Sequence, residues 1–401
     1  MEVIEIGPDR QNVEIAQQKS SNDICRRSAI NFKYDEFFTQ YMCQNQAIII
    51  CSTADQWECF NRWSCSGTID YDYLRTTIGD MKVPVADCGK QYFDSHEKLD
   101  MNFFDYLDYF EKANGEQPRM LYLKDWHLRK LLPEYEFYNT PKYFASDWLN
   151  EYLQSTNQDD YMFVYMGPKG TWTSFHADVF SSYSWSTNIF GIKKWLLLPP
   201  GEELKLKDQL GNLPFQVSEE LLKSKHVVYH IITQTPGEAI FIPSGWYHQV
   251  QNVEDAISVN HNWFNGCNVL QIWTALDNTL DQVMAEIHDC RDMDDFEQHC
   301  QVMLKAAHGM SLENFLNLLT FICERRLATL QKIEPKPSVV LFDKFHLGSN
   351  HVRFDLEAIR NTLSRMLSNR RDLLENLKLL NHVEKYLSLI DDCFTENSQI
   401  G

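Results

Sequence analysis

The sequence predicts a mainly β fold with α. A β-rich core spans residues 116–265, with mixed α/β elements over 31–115 before it and a helical region over 266–401 after it. Three observations carry this. Short apolar segments split by Gly, Pro and Asn fill the middle of the chain, as in a sandwich or barrel and unlike a strand–helix–strand repeat. From about Asn265 onward apolar residues recur at steps of three and four, which is the period of a buried helix face. The first 30 residues are polar and mixed, and read as a poorly ordered lead-in.

In the amino-terminal part, Ala47-Ile48-Ile49-Ile50-Cys51 reads as a buried strand and Asp72-Tyr73-Leu74 opens a helix. Gly79-Asp80 turns the chain into Val83-Pro84-Val85. The core strands are expected at Met120–Lys124, Tyr161–Met166, Trp195–Leu198, Ala239–Ile242, Trp246–Val250 and Ala256–His261, with a helix from Ser146 to Leu153 inserted among them. In the last region Leu270, Trp273, Leu276, Leu280, Val283 and Ile287 mark one helix. A second starts near Ser311, a side chain able to cap it, with Glu313 in its first turn. A third is expected from about Asp355 to Ile390, after a loop or linker over Pro335–Asn350.

Bulk chemistry narrows the function. The 401 residues carry 56 acidic and 37 basic side chains, and the formal charge of −19 argues against direct nucleic-acid binding, which needs a Lys/Arg surplus. An acidic surface suits a basic protein or peptide partner, or serves solubility alone. No membrane span is expected, since the longest comparable apolar run, Ala47–Cys51, falls far short of the roughly 20 residues a bilayer helix needs. The start, MEVIEIGPDR, lacks the basic and apolar pattern of a secretory signal. Eleven cysteines without a CxxC pair form neither a disulfide framework nor a zinc ribbon, which points to the cytoplasm, or the nucleus.

A metal that activates O2 needs two neutral imidazoles and one carboxylate on one face, leaving other positions open. His176-Ala177-Asp178 supplies half of that set if the segment is extended, because residues two apart then point the same way. The pattern alone is weak: among 13 histidines a second such pair, His382 and Glu384, also occurs. That pair falls in a strongly periodic helix, where residues two apart diverge. His248, in Pro243-Ser244-Gly245-Trp246-Tyr247-His248, is the candidate third ligand, or else a core imidazole bonded to backbone.

Three stretches, Gly167–Asp178, Gly191–Pro200 and Pro243–His248, together resemble the jumonji C oxygenases in order and spacing. The upstream Trp57, Leu74, Gly79-Asp80 and Val83-Pro84-Val85 extend the resemblance over roughly residues 35–265. Leu121–Leu128, Phe163–Pro168 and Ser258–Trp263 are similar to one subgroup of that family, and the helical carboxy-terminal part matches it too.

The resemblance implies a double-stranded β-helix, the jelly-roll or cupin core, and Fe(II) held by His176, Asp178 and His248. It implies 2-oxoglutarate and O2 as cosubstrates. The far carboxylate of 2-oxoglutarate would pair with Lys193, whose neighbour Lys194 should face the other way along the strand. Thr173 and Tyr122 would bond the same carboxylate, although a plain strand threonine and a buried structural tyrosine are alternatives. Thr173 reaches the face of His176 only if a bulge or turn intervenes. Asn260 and Ser186 correspond to pocket-lining positions, Ser186 standing where asparagine is frequent. The subgroup implies hydroxylation of a lysine side-chain carbon in the eukaryotic translation release factor that recognises stop codons. N-methyl-lysine demethylation is the alternative chemistry, and Asp178 in place of the glutamate of many demethylases weighs toward hydroxylation. A cupin-like binding module without catalysis is the third reading. The carboxy-terminal helices could form a dimer face or cover the substrate groove, and oligomeric state stays open.

Overall fold

A computed structural model describes residues 1–8, 24–112, 119–330, 340–342 and 344–398. Two facing sheets form a jelly roll, and helices close one side of it. Twelve strands matter for the site: β1 (Cys25–Ser28), β2 (Ile48–Cys51), β3 (Lys82–Tyr92), β4 (Ser95–Asn102), β5 (Leu121–Trp126), β6 (Met162–Gly167), β7 (Tyr183–Phe190), β8 (Lys193–Leu198), β9 (His230–Gln234), β10 (Ala239–Ile242), β11 (Tyr247–Asn252) and β12 (Ala256–Trp263).

The large sheet runs β1-β2-β10-β7-β12-β6-β5-β3-β4 and the small one β9-β8-β11. Only β1 and β2 pair in parallel within these two sheets. The small sheet gains a fourth, irregular member where Trp172 bridges Gln251 and His176 bridges His248 along the free edge of β11. The expected core strands are all present, within a few residues of the positions read from the sequence. Strands β4, β7 and β9 were not foreseen. Strand β7 reads Tyr-Ser-Trp-Ser-Thr-Asn-Ile-Phe, too polar on its pocket side to stand out as an apolar run.

Helix Trp148–Ser155 (α1) begins on Asp147, whose carboxylate accepts the Asn150 amide at 2.9 Å, and it buries Trp148, Leu149 and Leu153. The carboxy-terminal region forms α2 (Val269–Glu286), α3 (Phe296–His308), α4 (Leu312–Leu330), α5 (Ser349–Asn376) and α6 (Leu380–Ser398). Helix α3 was not anticipated, and the single helix expected over Asp355–Ile390 is two, broken where Lys378 takes a φ of 60°. The buried face of α2 starts on Val269 and Ile272, while Leu270 is exposed. Ser311 caps α4 as expected, its hydroxyl accepting the Asn314 amide at 3.2 Å.

Two further expectations need correction. The lead-in contains two strands, β1 and Glu2–Ile4, the latter paired in parallel with Phe345–Leu347 in a small separate sheet. Its residues 9–23 lie outside the described residues, as do 335–339 and 343 of the Pro335–Asn350 segment read as a loop or linker, whose described part carries the strands Val340–Leu341 and Phe345–Leu347. Backbone pairing across more than 340 residues is invisible to any local pattern, so a polar amino terminus reads as loose when it is a strand.

One apolar core joins these parts. Ile4, Phe38, Trp148, Trp263, Trp273, Phe315, Leu356 and Ile390 belong to a single buried cluster, so the helical region shares its interior with the large sheet. A buried ion network crosses the same seam. Arg326 donates two bonds to Glu151 of α1, both at 2.9 Å, and one to Asp355 of α5 at 2.7 Å. A smaller core of Ile49, Trp195, Leu197, Ile240, Ile242 and Trp246 fills the space between the two sheets. Among the described residues no helix is long and apolar enough to cross a membrane.

Candidate metal centre and cosubstrate pocket

The mouth of the jelly roll brings His176, Asp178 and His248 together, with one ligand atom from each lying within 4.8 Å of the others. His248 comes from β11. His176 does not sit on a regular strand, contrary to expectation: it belongs to an extended segment tied to β11 by single bridges. Between those bridges the segment spans Trp172 to His176 while β11 spans Gln251 to His248, so it carries one extra residue. That bulge lets Thr173 and His176 line the same cavity. The Thr173 amide donates to the Val250 carbonyl at 2.9 Å, and its hydroxyl accepts the Val250 amide at 3.1 Å.

Backbone carbonyls set the imidazoles. His176 Nδ1 lies 2.7 Å from the Ser174 carbonyl oxygen and His248 Nδ1 lies 3.1 Å from that of Trp246. A carbonyl can only accept, so each Nδ1 carries the proton and each Nε2 keeps its lone pair for a metal. Burial, followed by the neighbouring His248, lowers the His176 pKa to about 4, which keeps that ring neutral at physiological pH. Asp178 is held at both oxygens, by Ser184 at 2.6 Å and by Asn262 at 2.9 Å. The turn after it is strained, since Phe180 and Ser181 take φ values of 59° and 55°. Packing compensates for that strain: the Phe180 ring sits against Gly309, the left-handed residue that ends α3.

The inner end of the cavity belongs to Lys193. Its side chain is buried, and Nζ donates to Ser258 Oγ at 2.7 Å and Tyr122 Oη at 3.3 Å. No carboxylate pairs with it among the described residues. Burial alone lowers its pKa to about 7. An isolated buried cation at the end of a cavity fits the carboxylate of a dicarboxylic acid. Lys194 faces outward to Glu219 at 2.9 Å, as strand alternation predicts. Tyr122, Thr173, Ser186 and Asn260 all line the cavity. Asn260 donates to Ser258 Oγ at 3.0 Å, whereas the buried Ser186 hydroxyl has no hydrogen-bond partner among the described residues. Trp185 and Trp195 wall the pocket, and Trp195 is fixed by its indole N–H bond to Gln234 at 2.8 Å.

Sequence reading missed Ser184, Ser258 and Asn262. Each lies on a strand whose pocket face is polar, and a serine or asparagine in a strand gives no signal until its partner is known. The pocket continues outward into a groove that shares His176, Asp178, Lys124, Tyr165 and Asn262, and adds Tyr161, Phe163, Asp125, Asp159 and Asp160.

A jelly roll with two imidazoles and a carboxylate at its mouth and a buried lysine at its inner end defines the iron- and 2-oxoglutarate-type oxygenases of the cupin class. Residues 34–268 match the cupin-like domain family. The chain is 48% identical over 359 residues to the 2-oxoglutarate and iron-dependent oxygenase JMJD4 homolog of Drosophila melanogaster, covering 81% of this chain and 84% of that one. It is 40% identical over 352 residues to 2-oxoglutarate and iron-dependent oxygenase JMJD4 of Homo sapiens, covering 84% and 83%. It is 35% identical over 358 residues to arginine-specific demethylase JMJ20 of Arabidopsis thaliana, covering 84% and 77%. The chain belongs to the JMJD4 family of jumonji C, 2-oxoglutarate- and iron-dependent oxygenases.

Proposed function

We propose that this oxygenase hydroxylates a lysine side-chain carbon in the eukaryotic translation release factor that recognises stop codons, a reaction of the cytoplasm. His176, Asp178 and His248 hold Fe(II) in this reading, and the far carboxylate of 2-oxoglutarate lies on Lys193, Tyr122 and Thr173. The bound iron supplies O2 activation coupled to oxidation of 2-oxoglutarate to succinate and CO2. The chain orients the imidazoles through Ser174 and Trp246, steadies Asp178 through Ser184 and Asn262, and excludes water with Trp185 and Trp195. One observation carries the oxygenase chemistry: a buried lysine lacking a carboxylate partner among the described residues lies in the same cavity as a three-ligand cluster.

The outer groove offers the aromatic side chains of Tyr161, Phe163 and Tyr165 to a cationic substrate side chain, while its carboxylates Asp125, Asp159 and Asp160 are paired with Lys98, Lys130 and His127. The release factor as target rests on the subgroup resemblance. Demethylation stays a second reading because the Arabidopsis relative is named an arginine-specific demethylase. Incubating the protein with Fe(II), ascorbate, 2-oxoglutarate and the recombinant release factor separates them. Hydroxylation adds the mass of one oxygen to an unmodified lysine peptide. Formaldehyde released from methylated arginine or lysine peptides, with the unmodified release factor unchanged, would replace hydroxylation by demethylation.

A further inference from the structure

Strand β5 turns Tyr122 and Lys124 to one side, about 6.6 Å apart along the chain, because residues two apart share a strand face. Tyr122 lies beside Lys193 at the inner end. Lys124 lines both the inner cavity and the outer groove, the two places that share His176 and Asp178.

Neither neighbouring carboxylate is spare. Asp125 accepts the Tyr165 hydroxyl at 2.7 Å and pairs with Lys98 at 2.7 Å. Asp178 is taken up by Ser184 and Asn262. The Lys124 side chain makes no hydrogen bond or ion pair among the described residues, and the carboxylate its charge acts on, Asp125, is already held by Tyr165 and Lys98. The backbone bulges immediately after it, with Asp125 at a φ of 60°, so Lys124 and Asp125 both line the groove although they are consecutive. A cation with no hydrogen-bonded carboxylate beside a metal-ligand cluster disfavours a bare divalent ion by Coulomb repulsion, and an anion bound between them offsets that repulsion.

A five-carbon 2-oxo diacid carries a carboxylate at each end, and the cavity offers a lysine at each end. We propose that Lys124 is a second cationic anchor for the cosubstrate, donating a charge-assisted hydrogen bond to the carboxylate at the metal end while Lys193 holds the far one. This rests on the iron and 2-oxoglutarate assignment of the site and is independent of the protein substrate. It makes Lys124 a positioning residue that favours the metal–cosubstrate pair over the metal alone.

The test uses the full chain without any peptide. Affinity for Mn(II), then for 2-oxoglutarate on the Mn(II)-loaded protein, is measured by calorimetry for wild type, Lys124→Gln and Lys124→Arg. The visible charge-transfer band of the anaerobic Fe(II) complex gives a second readout. Lys124→Gln is expected to weaken 2-oxoglutarate roughly 10-fold or more, with Mn(II) binding unchanged or tighter and the band shifted. Lys124→Arg is expected to restore most of the lost affinity. Unchanged 2-oxoglutarate affinity and band in Lys124→Gln would overturn the proposal, and so would equal losses of metal and cosubstrate binding. A wild-type protein that binds Mn(II) but not 2-oxoglutarate would bring down the underlying site assignment as well.

Discussion

Lys193 Nζ lies 2.7 Å from the Ser258 hydroxyl oxygen, a neutral partner for a buried cation. That pairing makes cosubstrate binding proton-linked. Burial lowers the lysine from 10.5 to about 7, so above that pH the empty pocket holds a neutral amine. An arriving carboxylate favours the ammonium, and binding takes up a proton. Affinity for 2-oxoglutarate is expected to be flat below about pH 7 and to fall above it, approaching tenfold per unit. Calorimetry in two buffers of different ionisation heat reads the uptake directly, and none at about pH 8 would remove Lys193 as the anchor. The sign for the ligand-free fold follows the same shift: the fold disfavours the charged form, so stability falls as pH drops from 10.5 toward 7. Lys193→Met should weaken 2-oxoglutarate by roughly 10- to 100-fold.

Ser184 and Asn262 hold the two oxygens of Asp178 and therefore its orientation toward a metal. Replacing either by Ala is expected to lower Fe(II) or Mn(II) affinity roughly 10- to 100-fold. The melting temperature should change little beside Asp178→Ala. A chelator should abolish turnover in the wild type, with recovery on adding Fe(II) and none on adding Zn(II). Metal titrations of the two variants that overlay the wild type would show that Asp178 needs neither partner.

Gly167 ends β6 directly behind the Tyr122 ring. A Cβ there would lie 2.5 Å from Tyr122 Cδ2 and 2.6 Å from Thr171 Oγ1, so Gly167→Ala must displace the ring. The expected result is a higher KM for 2-oxoglutarate with KM for the protein substrate little changed, together with a stability loss of about 1–3 kcal/mol. Kinetics with each substrate varied in turn, plus a denaturant melt, measure both.

Arg326 is fully buried between Glu151 and Asp355, and its loss leaves Glu151 with Arg325 alone and Asp355 with only His351 and the Trp148 indole N–H in the interior. Arg326→Met should destabilise the protein by about 3–5 kcal/mol. Because the network joins α1 to α4 and α5, unfolding of the helices and of the β core should remain one transition in the wild type and split or shift together in the variant. Far-ultraviolet and tryptophan fluorescence melts distinguish these outcomes, and a loss under 1 kcal/mol would show that the network is dispensable.

The sequence by itself determined what is local. Alternation set Lys193 and Lys194 on opposite faces of their strand, the Ala239–Ile242 run announced a buried strand, Ser311 marked a helix start, and apolar periodicity revealed most of the carboxy-terminal helices. The candidate ligands and the cosubstrate lysine were named through the resemblance of three ordered motifs to the jumonji C oxygenases. Tertiary structure decided everything that depends on a distant partner. It set the bulge that turns Thr173 toward His176, because the extra residue exists only relative to β11. It selected Ser184, Asn262 and Ser258 from many unremarkable polar residues by closing the large sheet over the cavity. It also made Glu2–Ile4 a strand, since its partner lies at Phe345–Leu347, and bound the helical region to the catalytic core through Arg326. Short-range periodicity reports the neighbours along the chain, whereas a site assembled from opposite sheets is specified by contacts hundreds of residues apart.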